Sequence, residues 1–172
     1  GHRTLVQAID IYTFGLGGDS RVMFDKKYDL VLSNRRVQPL CSLASEYPQV
    51  LDELRDLKKM KYIGEPLFIL PGEGRPSNEI ESAIFRKLSD GPISQSGLLK
   101  RVRLLKKHYK QIDLMEQKGL IKYSSFTPTD ALHVLGRFDK WDRNASLLGS
   151  DLMADGMHNN TGEEVALQVQ DM

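Results

Sequence analysis

The chain contains a single cysteine, Cys41, among its 172 residues. One cysteine excludes a disulfide framework within the chain and a metal site built from several thiolates. This scarcity favours a reducing, cytoplasmic setting. The chain also lacks an apolar run long enough to span a bilayer, and no signal peptide is visible. We therefore expect no membrane association.

An excess of charge of one sign is also lacking. Lys and Arg number 24 and Asp and Glu number 23, which gives a formal net charge of +1. Such a balance argues against a protein that binds nucleic acid through an overall positive surface. Hydrophobic residues make up 40% and charged residues 27%, as in ordinary soluble domains. The four histidines are scattered without the spacing of a zinc site, so we expect no metal site from this chain alone.

The chain has no Walker loop, no Gly-x-Ser-x-Gly elbow and no His-Glu-x-x-His run. It does have a glycine-rich corner at residues 12–20, between apolar-alternating runs at residues 5–11 and 21–24. This pattern predicts a strand, a tight turn and a second strand. The turn is either a hairpin loop without a ligand or a bend whose missing Cβ atoms let a nucleotide come close. The residues that would face such a ligand are Gly15, Gly17, Gly18, Asp19 and Ser20.

Residues 8–20 resemble the glycine segment of the hydantoinase/oxoprolinase family, and residues 127–137, which read TPTDALHVLGR, resemble a second segment of that family. The family is similar to the actin, hexokinase and heat-shock-chaperone ATPases. The resemblance implies a partial actin-like, ribonuclease H-like lobe. It also implies ATP-dependent opening of a cyclic amide, such as a hydantoin or 5-oxoproline, with ATP and Mg²⁺ as cofactors of the full-length protein only.

In this resemblance the glycine corner lines the nucleotide side of a cleft, and Thr129 and Asp130 line the other wall. Asp130 is then a candidate acid, base or contact to metal-bound water, with Thr129 beside it. The residues themselves leave a second interpretation open. Thr129 and Asp130 equally suit a helix cap whose side-chain oxygens accept hydrogen bonds from backbone N–H groups.

Members of the family carry an earlier phosphate loop of the type Asp-x-Gly-Gly-Thr, which does not occur in this chain. We therefore expect a fragment of a larger protein, inactive by itself and without a bound cofactor. Its expected partner is the missing N-terminal lobe of the same protein. A second hydantoinase-type subunit is a further candidate partner.

The predicted fold class is α+β or α/β, in three segments: residues 1–74, 75–126 and 127–172. The first segment is predicted to contain the glycine-corner strands, one helix over residues 43–60 and a buried strand at residues 66–71. The continuous apolar character of that strand suggests burial on both faces, as in the middle of an α/β sheet. A turn cluster at residues 72–76 marks the boundary to the second segment.

The second segment is predicted to be helical, with Asn78 as an N-cap followed by Glu81. Further helices are predicted at residues 94–102 and 104–118, then a strand at residues 120–123. This order resembles a winged helix-turn-helix. Basic residues crowd its later part: Lys100, Arg101, Arg103, Lys106, Lys107, His108, Lys110, Lys118 and Lys122. The unit is either a DNA-binding module or a module that packs on the lobe with its lysines in solvent. We favour the second and do not expect nucleic acid to be a partner.

The third segment is predicted to begin with a helix that has Thr129 as its N-cap. A polar stretch follows at residues 150–162, and residues 163–172 read as the first turns of a helix. Phe138 and Trp141 are interpreted as a packing corner rather than a stacking platform. Cys41 is interpreted as a buried small hydrophobe rather than a nucleophile.

Overall fold

A computed structural model describes residues 18–103, 108–157 and 160–172. Within these ranges the chain is mixed α and β, with eight helices and two small sheets. It divides into two compact units, residues 1–66 with 125–172 and residues 67–124. We call them the glycine-turn unit and the helical unit. Among the described residues, no helix is both long enough and apolar enough to cross a membrane.

The described part of the glycine-turn unit begins with an antiparallel ribbon of two strands, β1 and β2, in which Val22 pairs with Leu32 and Phe24 with Leu30. The predicted strand at residues 5–11 lies outside the described residues. The elements of this unit are β1 (Ser20–Phe24), β2 (Leu30–Arg36), β3 (Gln38–Pro39), α1 (Leu40–Glu46), α2 (Gln49–Lys59), α6 (Pro128–Val134), α7 (Arg143–Gly156) and α8 (Gly162–Gln170).

The single helix predicted over residues 43–60 is wrong, because the structure has two helices there. Helix α1 ends at Glu46, and Tyr47 leaves the helical region with φ −130° and ψ 86°. Pro48 is the N-cap of α2. A proline disfavours the helical conformation of the residue before it, which explains the break at Tyr47.

Helices α6, α7 and α8 pack on one another and bury Ala131, Ala145, Met153 and Val165. The sequence prediction missed α7, since it interpreted residues from 150 onward as a polar stretch. The predicted N-cap of α6 is also wrong: Thr127 is the N-cap, and Pro128 occupies the first helical position. Proline suits that position because its missing N–H would have no partner within the helix anyway.

The helical unit contains a central strand with an antiparallel neighbour on each side. Strand β4 pairs with β5 at Ile69–Ile93 and with β6 at Ile69–Tyr123. The predicted burial of β4 is confirmed, but its neighbours are not the parallel strands of an α/β sheet. The elements of this unit are β4 (Phe68–Pro71), α3 (Glu79–Leu88), β5 (Ile93–Ser94), α4 (Gln95–Arg101), α5 (Tyr109–Gln117) and β6 (Ile121–Ser125).

The predicted N-cap at Asn78 is confirmed, and Ser94, which was predicted to be the first residue of the next helix, is the N-cap of α4. The Asn78 side chain accepts a hydrogen bond from Glu81 N at 2.9 Å, and Ser94 accepts one from Gly97 N at 3.1 Å. Residues 104–107, where the third helix was predicted to begin, lie outside the described residues. The unit begins at Leu67, so β4 belongs to it and the boundary precedes the turn cluster at residues 72–76.

Candidate functional site

The glycine-rich corner of residues 12–20, which we call the glycine turn, is hydrogen-bonded to helix α6 at its described end. The Gly18 carbonyl oxygen accepts hydrogen bonds from Thr129 N at 2.9 Å and from Thr129 Oγ1 at 2.7 Å. Gly18 and Thr129 are both buried. Residues 8–20 and 127–137, the two segments singled out in the sequence, are therefore in contact at Gly18 and Thr129. Gly15 and Gly17, which were also predicted to face a nucleotide, lie outside the described residues.

Of the three described residues of this turn, Asp19 and Ser20 are partly exposed. The Asp19 carboxylate lies 3.2 Å from Arg36 Nε, and its side chain is 22% exposed. The Asp19 carbonyl accepts a hydrogen bond from Val37 N at 2.8 Å. The turn is therefore held on one side by α6 and on the other by the end of β2, while the side chain of Asp19 still reaches solvent.

Asp130 is completely buried, and its carboxylate accepts five hydrogen bonds. Leu40 N and Thr127 N donate to Oδ2, each at 3.0 Å, and Cys41 N donates to Oδ1 at 2.9 Å. The hydroxyls of Thr127 and Ser146 donate at 3.0 and 2.7 Å. Every partner is a donor, which matches a carboxylate that accepts at both oxygens.

These contacts make Asp130 a shared cap for two helices. Helix α1 follows Pro39, which has no side chain able to cap it, and its first N–H groups bond to Asp130 instead. Helix α6 has a capping box in which Thr127 accepts from Asp130 N and Asp130 accepts from Thr127 N. A carboxylate near two helix N-termini is stabilised by both helix dipoles.

The geometry favours the helix-cap interpretation of Asp130 over the catalytic one. Its side chain has no exposed surface, and both oxygens are occupied by protein donors. A general acid or base must reach the proton that it transfers. A catalytic role for Asp130 and Thr129 remains a prediction, and it would require both residues to leave the partners they have here.

Sequence reasoning missed the contact between Cys41 and His133, which lie 92 positions apart. The Cys41 Sγ atom is 3.8 Å from His133 Nδ1, and both residues are fully buried. The His133 Nδ1 atom is also 2.8 Å from the Thr129 carbonyl. The Nε2 atom of His133 accepts hydrogen bonds from two backbone N–H groups and therefore carries no proton. The single N–H of the neutral imidazole is then on Nδ1, which donates it to the Thr129 carbonyl.

The Cys41–His133 pair is not an activated nucleophile. Burial raises the pKa of the Cys41 thiol far above its usual value, and the nearby charge of Asp130 raises it further. The reactive form of cysteine is the thiolate, which this setting disfavours.

We expect Cys41 to react with a thiol reagent at least about 100-fold more slowly in the folded chain than in the denatured chain, because reaction requires local opening. The rate of labelling, followed by mass spectrometry, measures this directly. The chain has no other cysteine, so the denatured chain is its own control. Equal rates in the two states would contradict the buried placement.

No group of three or more His, Cys, Asp or Glu side chains suited to a metal ion occurs among the described residues. Asp19 carries the one carboxylate of the glycine turn, so this turn could contribute one side-chain carboxylate ligand to a metal ion.

Comparison of the chain with models of protein families, with curated proteins and with solved structures found no match.

Proposed function

We propose that the glycine-turn unit is part of a nucleotide-binding lobe of an enzyme that uses ATP to open a cyclic amide, such as a hydantoin or 5-oxoproline. The observation that carries this proposal is the double hydrogen bond from Thr129 to the Gly18 carbonyl. It joins the two segments whose sequences resemble the hydantoinase/oxoprolinase family. Contact between the two segments is what a shared site requires, and in that sense it supports the proposal.

In the proposed reaction, ATP supplies a phosphoryl group that activates the amide oxygen. The glycine turn would lie along the nucleotide, since backbone without Cβ atoms allows close approach. Asp19 and Ser20 are the described residues with side chains that can reach a ligand there. Thr129 and Asp130 would act as positioning residues, because one fastens Gly18 and the other fixes the helix that carries Thr129.

Mg²⁺ is usually held by one or two carboxylates together with the phosphate oxygens of its nucleotide. Asp19 fits the carboxylate part of such a site, since it is partly exposed beside the turn. The remaining ligands would come from the nucleotide and from the lobe that carries a phosphate loop.

We expect the 172-residue chain to release phosphate from MgATP no faster than buffer does. Phosphoryl transfer depends almost wholly on charges positioned around the phosphates, and this sequence has no phosphate loop to position them. A phosphate-release assay with and without Mg²⁺ measures this. Metal-dependent turnover by the purified chain would contradict the expectation.

Equilibrium binding of ATP tests the proposal itself. Half a cleft should bind MgATP only weakly, with a Kd of about 1 mM. Asp19→Asn should weaken this binding, because it removes the carboxylate that would contact the Mg²⁺ of MgATP. Asp139→Asn is the matched control, since Asp139 is an exposed carboxylate in the same unit. The proposal fails if the chain binds no ATP, or if both variants bind ATP as the wild type does.

The helical unit supports a second candidate role. Its order of α3, β5, α4, α5 and β6 is compatible with a winged helix-turn-helix. The described part of α5 does not carry a basic face, because Lys110 is accompanied by Asp113 and Glu116. Lys118, just after α5, pairs with Glu81 at 3.3 Å. We propose that this unit packs within a larger protein rather than binding DNA.

We accordingly expect no steep salt dependence when duplex DNA is titrated into the chain at several salt concentrations. A true phosphate-binding surface loses affinity sharply as salt rises. Fluorescence anisotropy of labelled DNA gives the slope. If tight binding at low salt is reduced by Lys106→Ala and Lys107→Ala, the DNA-binding alternative is correct instead.

A further inference from the structure

The segment that follows helix α6 folds back onto the histidine of its last turn. His133 Nε2 accepts hydrogen bonds from Lys140 N at 3.3 Å and from Trp141 N at 3.1 Å. The Trp141 ring stacks on the imidazole with centroids 6.1 Å apart and planes 19° apart. The Phe138 ring meets the imidazole edge-on at 5.3 Å. We call residues 138–142 the return segment.

The position of the return segment depends on a neutral imidazole. Nδ1 bonds to the Thr129 carbonyl and Nε2 is the acceptor for two backbone N–H groups. A protonated imidazole carries N–H on both nitrogens and can accept nothing. Protonation would therefore direct a new N–H of His133 at two existing donors. The bond to Thr129 would survive, because Nδ1 donates in both forms.

We propose that His133 is a pH-sensitive switch, and that its protonation releases the return segment while helix α6 stays folded. The two bonds to Nε2 are lost together, and the ring stack on Trp141 is lost with them. Release would expose more of the rings of Phe138 and Trp141, which are only partly covered in the folded chain. It would also strain the contacts of Asp142, whose N–H bonds to Ser45 Oγ at 3.1 Å and to the Cys41 carbonyl at 3.2 Å.

The titratable and charged groups near His133 lie on helices α1, α6 and α7 and on the return segment. Cys41 of α1 is a neutral thiol, and the Asp130 carboxylate of α6 is occupied by its five donors. Arg143 of α7 donates to the His133 carbonyl at 2.8 Å. Lys140 of the return segment lies 4.8 Å from the centre of the Trp141 ring. An imidazolium would face these two cations, and release of the segment moves Lys140 away from it.

Trp141 is the only tryptophan of the chain, so its fluorescence reports on the return segment alone. As the pH is lowered from neutral, we expect its emission to shift to longer wavelength while far-UV circular dichroism stays constant. The amide resonances of Lys140 and Trp141 should shift with the same midpoint as the His133 imidazole nitrogens. His108→Gln, which changes a histidine of the helical unit, should leave this transition unaltered.

His133→Gln should abolish the transition, because the glutamine amide can accept a hydrogen bond but does not titrate. If this variant does not fold, the wild-type resonances decide by themselves. The proposal is overturned if the Lys140 and Trp141 amides shift only together with global unfolding. It is overturned equally if their midpoint differs from that of the imidazole, or if a folded His133→Gln chain shows the same transition.

Discussion

Replacing Asp130 by alanine is expected to destabilise the glycine-turn unit by about 4 kcal/mol or more. The change leaves the buried N–H groups of Leu40, Cys41 and Thr127 without their acceptor. Each buried donor left unsatisfied costs about 1–3 kcal/mol. The N-termini of α1 and α6 lose their shared cap in the same step. Urea denaturation followed by circular dichroism and by Trp141 fluorescence measures the loss.

Asp139→Ala is the matched control for this prediction. It removes an exposed carboxylate from the same unit, and such surface changes usually stay within about 0.5 kcal/mol. A loss below about 1 kcal/mol for Asp130→Ala would mean that the buried network does not hold the two helices. Asp130 would then be free to take the catalytic role that the sequence resemblance implies.

Gly72→Ala is expected to destabilise the helical unit by about 3 kcal/mol, through overpacking against backbone. A Cβ atom at Gly72 would overlap the Gly119 carbonyl oxygen and approach the carbonyl carbon of Leu120 to 3.0 Å. Gly72 N also donates to the Leu120 carbonyl at 2.8 Å, so the two backbones cannot separate without losing a hydrogen bond. Thermal unfolding followed by far-UV circular dichroism measures the effect.

Gly119→Ala is the informative comparison, because Gly119 lies on the other side of the same contact. It has φ +76° and nothing within 4 Å of an added Cβ, so only left-handed strain opposes alanine there. That strain costs about 1–2 kcal/mol. Gly72→Ala should therefore be the more damaging change. If Gly119→Ala destabilised the unit more, backbone strain would outweigh the close approach at Gly72.

Local signals in the sequence mark the starts of the first two helices of the helical unit. Asn78 with Glu81, and Ser94 before its helix, identify helix starts because their capping partners lie three residues away. The same kind of signal failed for α6, where two threonines compete for one cap. Thr127 caps the helix, which leaves the Thr129 hydroxyl to bond to Gly18.

Long-range contacts explain what the sequence could not predict. The cap of α1 comes from Asp130, which is 90 positions away from Leu40. The residues next to Pro39 therefore contain no capping signal from which the start of that helix could be predicted. Helix α7 was missed because small residues make up the first half of its buried face, Ala145, Ser146, Gly149 and Ser150, and large apolar residues, Leu152 and Met153, follow only later. The partners that fill the space around those residues are distant in sequence, as with Leu40 beside Gly149.

The candidate site depends on long-range contacts as well. The resemblance of residues 8–20 and 127–137 led us to expect the two segments on opposite walls of one cleft. Gly18 and Thr129 are in direct contact, and a nucleotide site at this turn stays a prediction. The roles within the second segment depend on partners that no local pattern reveals. Ser146 and the start of α1 occupy Asp130, and His133 is occupied by Thr129 and the return segment.

An ATP titration followed through the backbone amide resonances of the chain tests the central claim most directly. The account predicts saturable shifts at Gly18, Asp19 and Ser20, with weaker binding in Thr129→Val, which keeps its shape but loses the hydroxyl bond to Gly18. Resonances of the helical unit should remain unchanged. If ATP leaves the turn residues unshifted, or shifts only residues 67–124, the glycine turn is not the edge of a nucleotide site.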